Sequence, residues 1–199
     1  MRRIGELNTQ SGNVAAALNL TAVNVKAAKG HGIFVSTIVA TPAAKTFVDA
    51  NVSVANDTIT ITAHGYATGL KAAATTSGTL PGGLSATNYW VIKVDADTIK
   101  LATSAANALL GTAVDITSAA GGGTHTLTPA AISGGSYKLQ CSMDDGSTYV
   151  DLGVTNNVTA TADFLHEKLD PMYTHVRLVW AITTGQIAYI VQTLVKEDS

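Results

Sequence analysis

The residues of this sequence best suited to acid–base or metal chemistry are its five histidines, His31, His64, His125, His166 and His175. Metal sites and activated nucleophiles draw on ligating or basic side chains at readable separations. These histidines are widely spaced, none stands beside a cysteine, and no Gly-x-Ser-x-Gly elbow presents a nucleophile. Each is read as a turn or surface residue, although histidines of separate subunits could still meet a metal on a symmetry axis. Asp144-Asp145-Gly146 and Asp95-Ala96-Asp97 bring carboxylates close enough for a hard cation, but neither continues with the spacing and closing glutamate of a calcium loop. Both read as tight turns. Gly121-Gly122-Gly123 lacks the Lys-Ser/Thr and the helix of a phosphate-binding loop and reads as a linker.

Cys141 alternates with Leu139 and Met143 and reads as a small buried hydrophobe with no neighbouring base. As the single cysteine it forms no intrachain disulfide. Tyr89, Trp90 and Trp180 could stack on sugar rings if exposed. Trp90 shares a face with Ile92 and Val94, however, and core packing is the expectation for both tryptophans. No catalytic, cofactor-binding or metal-binding residue is predicted, no cofactor is expected, and the chain is expected not to be an enzyme.

Composition narrows the partners. Charged residues make up 13% of the chain against 46% hydrophobic, while a soluble domain typically has about 25% charged residues. Two readings stay open: apolar surface covered by another subunit, giving a homo-oligomer, or a neutral Thr/Ala-rich sandwich. A formal net charge of -2, with Arg2-Arg3 as the adjacent basic pair, argues against nucleic acid as the main partner. No apolar run approaches the ~18 residues of a spanning helix, and Val14 to Leu18 is too weak for a signal sequence, so neither a membrane span nor standard export is expected.

The elements that must position these residues read as strands. Thr58 to Thr62 alternates, as does Asn88 to Val94, which turns at Asp95-Ala96-Asp97 into Thr98 to Leu101 as a hairpin. Further strands are predicted at Thr112 to Ile116 and His125 to Thr128, with a short helical turn at Ser104 to Gly111. Outside this stretch, strands are predicted at Thr21 to Lys26, Ile33 to Val39, Tyr137 to Met143, Thr148 to Leu152 and Phe164 to Leu169. His175 to Ile182 and Gln186 to Val191 are predicted to form the longest hairpin, around Thr183-Thr184-Gly185. The fold class is therefore all-β: an antiparallel, jelly-roll-like β-sandwich host domain carrying an inserted small β-sandwich or barrel module. Residues 1–20 are expected to form an N-terminal arm, with a helix at Val14 to Leu20 as the competing reading. Residues 21–50 plus 130–199 form the split host, and 51–129 the insertion.

Two stretches resemble known proteins. Asp57 to Gly69, with its His64-Gly65 and Thr68-Gly69 pairs, is followed by Gly78-Thr79-Leu80-Pro81-Gly82-Gly83-Leu84 and then Tyr89 to Ala102. This order is similar to a module recurrent in virion proteins of tailed bacteriophages, shared among head, neck and tail components. Tyr137 to Gly153, continuing to Tyr173 to Val179, resembles a generic phage sandwich domain, with Tyr149 where that pattern often has Trp. The resemblance implies a structural protein located in the virion and assembled in the host bacterial cytoplasm. Its expected partners are other copies of itself, the major capsid protein or other virion proteins. Capsid decoration or cement protein is the leading expectation. A neck or tail component, or a glycan-binding receptor module, is the alternative.

Overall fold

The structure, a computed structural model, describes residues 3–25, 31–39, 41–119, 122–158, 163–169 and 173–197. It is all-β with antiparallel sheets, as the alternating patterns predict, and divides into two compact units. Met1, Arg2, Gly30 and Gly121 lie outside the described residues.

The first unit comprises Met1–Val39, Ser133–Thr183 and Ile187–Ser199. One of its sheets has four strands, in the order β1 (Arg3–Val14), β16 (Ile187–Glu197), β4 (His31–Val39) and β14 (Asp163–Leu169). The other runs β13 (Val150–Asn157), β12 (Gly134–Ser142), β15 (His175–Thr184) and β2 (Ala17–Asn19), with β3 (Val23–Asn24) also pairing β15. Period-two burial places Val176, Leu178, Trp180 and Ile182 of β15 inside, and Ile187, Tyr189 and Val191 of β16 inside. Trp180 meets Tyr137 of its own sheet at 5.1 Å between ring centroids and Tyr189 of the other sheet at 5.3 Å. Two sheets thus close on an aromatic core, the arrangement of a β-sandwich.

Two expectations change here. β15 and β16 are not partners in a hairpin but belong to different sheets. Each carries one inward apolar row. Folding one strand over the other sets those rows face to face, whereas pairing them would leave both on one side of a single sheet. Residues 3–14, read as part of an arm, form β1, which pairs with β16 from Arg3↔Glu197 to Val14↔Ile187 with an irregularity between Glu6 and Asn8. Residues 17–19 are strand, not helix. β1 satisfies the backbone groups along one side of β16, which β4 pairs on the other.

The second unit comprises Ala40–Ile132 with Thr184–Gln186. Its single seven-stranded sheet runs β5 (Lys45–Phe47), β11 (His125–Pro129), β8 (Lys71–Thr76), β9 (Asn88–Lys93), β10 (Thr98–Ala102), β7 (Thr58–Thr60) and β6 (Val52–Ser53). Ile59, Leu70, Ala72, Val91, Ile99, Leu101 and Leu127 fill its inner side with essentially no exposure. The β9–β10 hairpin forms as predicted. β5, assigned from sequence to the host, pairs instead with β11 through His125↔Phe47 and Leu127↔Lys45. The points where the chain enters and leaves this sheet are therefore adjacent, the condition under which an insertion is tolerated.

Helix α1 (Ala105–Leu110) is short and well bounded. The Ser104 hydroxyl oxygen accepts the Asn107 N–H at 3.1 Å, and Gly111 ends the helix at φ 75°. Thr112 to Ile116, predicted as a strand, is irregular. Its backbone groups find other acceptors: Val114 N–H donates to Leu101 O at 2.7 Å, and Ile116 N–H to Asp57 Oδ1 at 2.8 Å.

Candidate functional site

β11 carries His125 into the interior of the second unit with no exposure, and the Phe47 ring lies 4.9 Å from it. Thr76 Oγ1 is 2.8 Å from Nδ1, and Asp49 Oδ1 is 3.0 Å from Nε2. Gly78 N–H donates to Thr76 Oγ1 at 3.0 Å, and Gly122 N–H donates to Asp49 Oδ2 at 2.9 Å. With the proton on Nε2, every donor in this series has an acceptor: the Thr76 hydroxyl donates to Nδ1 and the ring donates to Asp49. The hydrogen bond from His125 holds the Asp49 carboxyl below its usual range.

Hydroxyl, imidazole and carboxylate in series are the parts of a nucleophile triad. Sequence reading missed the grouping because Thr76 and Asp49 lie 49 and 76 positions from His125, and only strand pairing brings them together. The imidazole is shut from water with both nitrogens engaged, and Thr76 Oγ1 is already bonded to Gly78. The series works as a tie joining the Asp49–Asn51 turn, the Gly122 loop, β8 and β11.

The other candidates are also engaged with backbone. His64 is buried, its Nδ1 accepting the Tyr66 N–H at 2.9 Å while Nε2 lies 3.0 Å from Asp95 O. Burial lowers its pKa. In the Asp95-Ala96-Asp97 turn, Asp95 Oδ1 accepts the Asp97 N–H at 2.8 Å and Asp97 Oδ1 accepts the Ala63 N–H at 2.6 Å. Asp144 accepts from the Thr148 hydroxyl at 2.5 Å, the Ser142 hydroxyl at 2.7 Å and the Thr148 N–H at 2.9 Å. These bonds, the Thr148 hydroxyl first, hold its carboxyl far below the usual range. Both acidic pairs are thus tight turns, as their spacing predicts. Cys141 is buried, which pushes its thiol pKa up, whereas Met143 beyond the end of β12 is 60% exposed. His175 is half-exposed on β15. His31 and His166 stand on β4 and β14, and their side chains lie outside the described residues. Among the described residues, no three His, Cys, Asp or Glu side chains come together as a metal site.

The aromatic candidates separate. Trp180 and Tyr89 are buried, but Trp90 is not. The inward row of β9 is Tyr89 and Val91, while Trp90 and Ile92 are half-exposed and Val94 is 51% exposed. The expectation that Trp90 packs in a core is therefore corrected. Both rows of this strand are apolar, so alternation could not say which faces in. Tyr89 is the row that fits, because its partner Ala72 is small and its hydroxyl oxygen accepts the Ser85 N–H at 2.8 Å.

Trp90 lies opposite Lys71 on one side and Ala102 on the other, and the Lys71 ammonium stands 5.5 Å from the centre of the Trp90 ring. Ile92 is paired with Lys100. The rest of this outward row is largely threonine, with Thr46, Thr126 and Thr75 in register across three strands. The strands of this sheet contain no carboxylate.

In the first unit, β12, β13 and β15 share a polar outer network. The Arg177 guanidinium lies 3.8 Å from the Tyr149 ring centre, and Arg177 Nε donates to Gln140 Oε1 at 2.9 Å. Gln140 Nε2 and Lys138 Nζ both donate to Asp151, at 2.8 and 2.6 Å. Exposed pairs of this kind contribute roughly 0–1 kcal/mol each.

No protein-family model matches the sequence, and no curated protein matches it. Among solved structures, the chain is similar to "VP16-VP17 complex, a complex of the two major capsid proteins of bacteriophage P23-77". The TM-score is 0.28 and the identity 8%, over 98% of this chain and 100% of that chain, and a superposition at that score carries no functional argument.

Proposed function

We propose that this chain is a non-enzymatic structural protein of a bacteriophage virion, and within that class a capsid decoration or cement protein that binds the head shell through subunit contacts. One observation carries the reading. The residues by which 57–102 resembles the recurrent virion module are engaged in holding the sheet together. Asp57 accepts the Ile116 N–H, His64 is locked between Tyr66 and Asp95, Thr68 Oγ1 accepts the Lys93 N–H at 3.0 Å, and a Cβ on Gly83 would lie 2.0 Å from Asp115 O. A motif whose recognisable residues build a scaffold suits a part reused for assembly better than one reused for catalysis. Many weak, repeated contacts on a lattice then suffice for tight attachment.

The test is to add purified protein to emptied phage heads. Binding to the shell with increased resistance of the heads to heat is expected. Density on the neck or tail alone would replace decoration with the neck or tail reading, and copy number per particle separates the two. A second reading, glycan binding, is favoured by one observation, the outward Trp90. A glycan array with a Trp90→Ala control tests it, and a blank array removes it.

A further inference from the structure

We propose that β1 pairs antiparallel with β1 of a second copy of this chain, joining two four-stranded sheets into one of eight strands. The inference deepens the subunit-contact reading above, on which it rests for the expectation that copies of this chain meet.

β1 is an edge. It pairs with β16 on one side from Arg3 to Val14, broken between Glu6 and Asn8, and among the described residues no strand pairs with it on the other. A long free edge is a template for another strand, and soluble proteins blunt such edges by shortness, charge or irregularity. The other described edges are blunted. β5, β6, β2 and β3 have two or three residues each. β13 is interrupted by a register shift and by Gly153 at φ 73°. β14 bears Asp163, Glu167 and Lys168. β1 has its own irregularity between Glu6 and Asn8, with Arg3 and Glu6 before it, but from Asn8 to Val14 it pairs without a break and runs Asn8-Thr9-Gln10-Ser11-Gly12-Asn13-Val14 with neither charge nor proline. Two such segments can approach without like-charge repulsion.

The space beside this edge points to the same occupant. A cavity of about 430 Å³ lies between β1 and the edge of the facing sheet, lined by Asn8, Gln10, Thr21, Ala22, Val23 and Asn24. Gln10 Nε2 donates one hydrogen to Thr21 O at 2.8 Å. Asn8 Oδ1 is buried without a hydrogen-bond partner, an arrangement native structures avoid. Asn8 and Gln10 lie opposite Thr193 and Val191, both buried, and so belong to the inward row. Thr9, Ser11 and Asn13 are exposed on the outward row.

A second β1 must set its inward row beside this one, which requires two-fold symmetry about a residue and not between residues. Symmetry about Thr9 places Thr9 against its own copy, a favourable cross-strand pair. It also places the second copy's Gln10 beside Asn8, where the remaining amide hydrogen supplies the donor that Asn8 Oδ1 lacks.

The experiment uses the full chain with single cysteines at exposed outward positions, since the native Cys141 is buried. Thr9→Cys is expected to form a disulfide-linked dimer on mild oxidation. Asn13→Cys is expected not to, because its copy would lie on the order of 25 Å away along the paired strands. Light scattering over a concentration series is expected to give a dimer for the unaltered chain. Thr9→Lys, which places a like-charge pair on the axis without touching the core, is expected to give a monomer with an unchanged circular dichroism spectrum. A monomeric unaltered chain, equal cross-linking at both positions, or a dimer that survives Thr9→Lys would overturn the proposal. Binding of a monomer to phage heads would remove this inference and leave the proposed function standing. A β1 dimer that ignores heads would do the reverse.

Discussion

Removing one hydroxyl from the second unit should change its stability in opposite directions at neutral and alkaline pH. Tyr66 is 1% exposed, and its hydroxyl lies 3.1 Å from both Ala43 O and Leu127 O. It donates one hydrogen shared between two carbonyls, a bond worth about 1 kcal/mol net, so Tyr66→Phe should cost about 1 kcal/mol at pH 7. Burial pushes the Tyr66 pKa up to about 12, while an unfolded tyrosine ionises near pH 10. A raised folded-state pKa means that the stabilisation is complete below pH 10 and is lost as pH rises towards 12, to a limit of about 2.7 kcal/mol. Phenylalanine has no such loss. The two stability curves should therefore cross near pH 11 (about one unit above the unfolded pKa), with the variant the more stable beyond that point. Urea unfolding followed by the fluorescence of Trp90, which belongs to the same unit, measures the difference at each pH. A difference that stays constant from pH 7 to 11.5 would mean that the hydroxyl is not in a water-poor site, and the argument would fail.

Three further outcomes follow from the geometry. Gly65→Ala and Gly83→Ala both force a side chain into the left-handed region, at φ 71° and 91°, but only the second meets an obstacle, Asp115 O at 2.0 Å. Thermal melts should show a loss of about 1–2 kcal/mol for the first and roughly 3 kcal/mol or more for the second. Because burial lowers the His64 pKa, its contribution is full above the unfolded value of about 6.5 and is lost as pH falls, so unfolding midpoints should drop on going from pH 7.5 to 5. That drop should shrink in His64→Gln, and an equal drop in both proteins would refute the assignment. Trp180→Ala should cost about 3–5 kcal/mol by emptying the sandwich core, whereas Trp90→Ala should cost far less. Acrylamide should quench Trp90 before Trp180.

Elements made by neighbours in sequence were legible. The β9–β10 hairpin was readable because alternation and the Asp-x-Asp turn are local signals, and α1 because Ser104 and Gly111 mark its ends. Sequence logic failed where a strand's partner is remote. β15 and β16 follow one another yet join different sheets, and β5 pairs with a strand about eighty positions away in sequence. The His125 tie was invisible for the same reason. Trp90 was misread because both rows of its strand are apolar, so that neither burial order contradicts the pattern.

The order of residues alone determined that this chain is β-rich, that its acidic pairs make turns and that Cys141 lies in a core, because each depends on a side chain and its near neighbours. Which sheet each strand joins, which row of β9 faces water, and that β1 stands at the end of its sheet among the described residues were decided only by the tertiary structure. Backbone hydrogen bonds carry no residue identity, so a strand's partner is chosen by which apolar rows can close on one another across the folded chain.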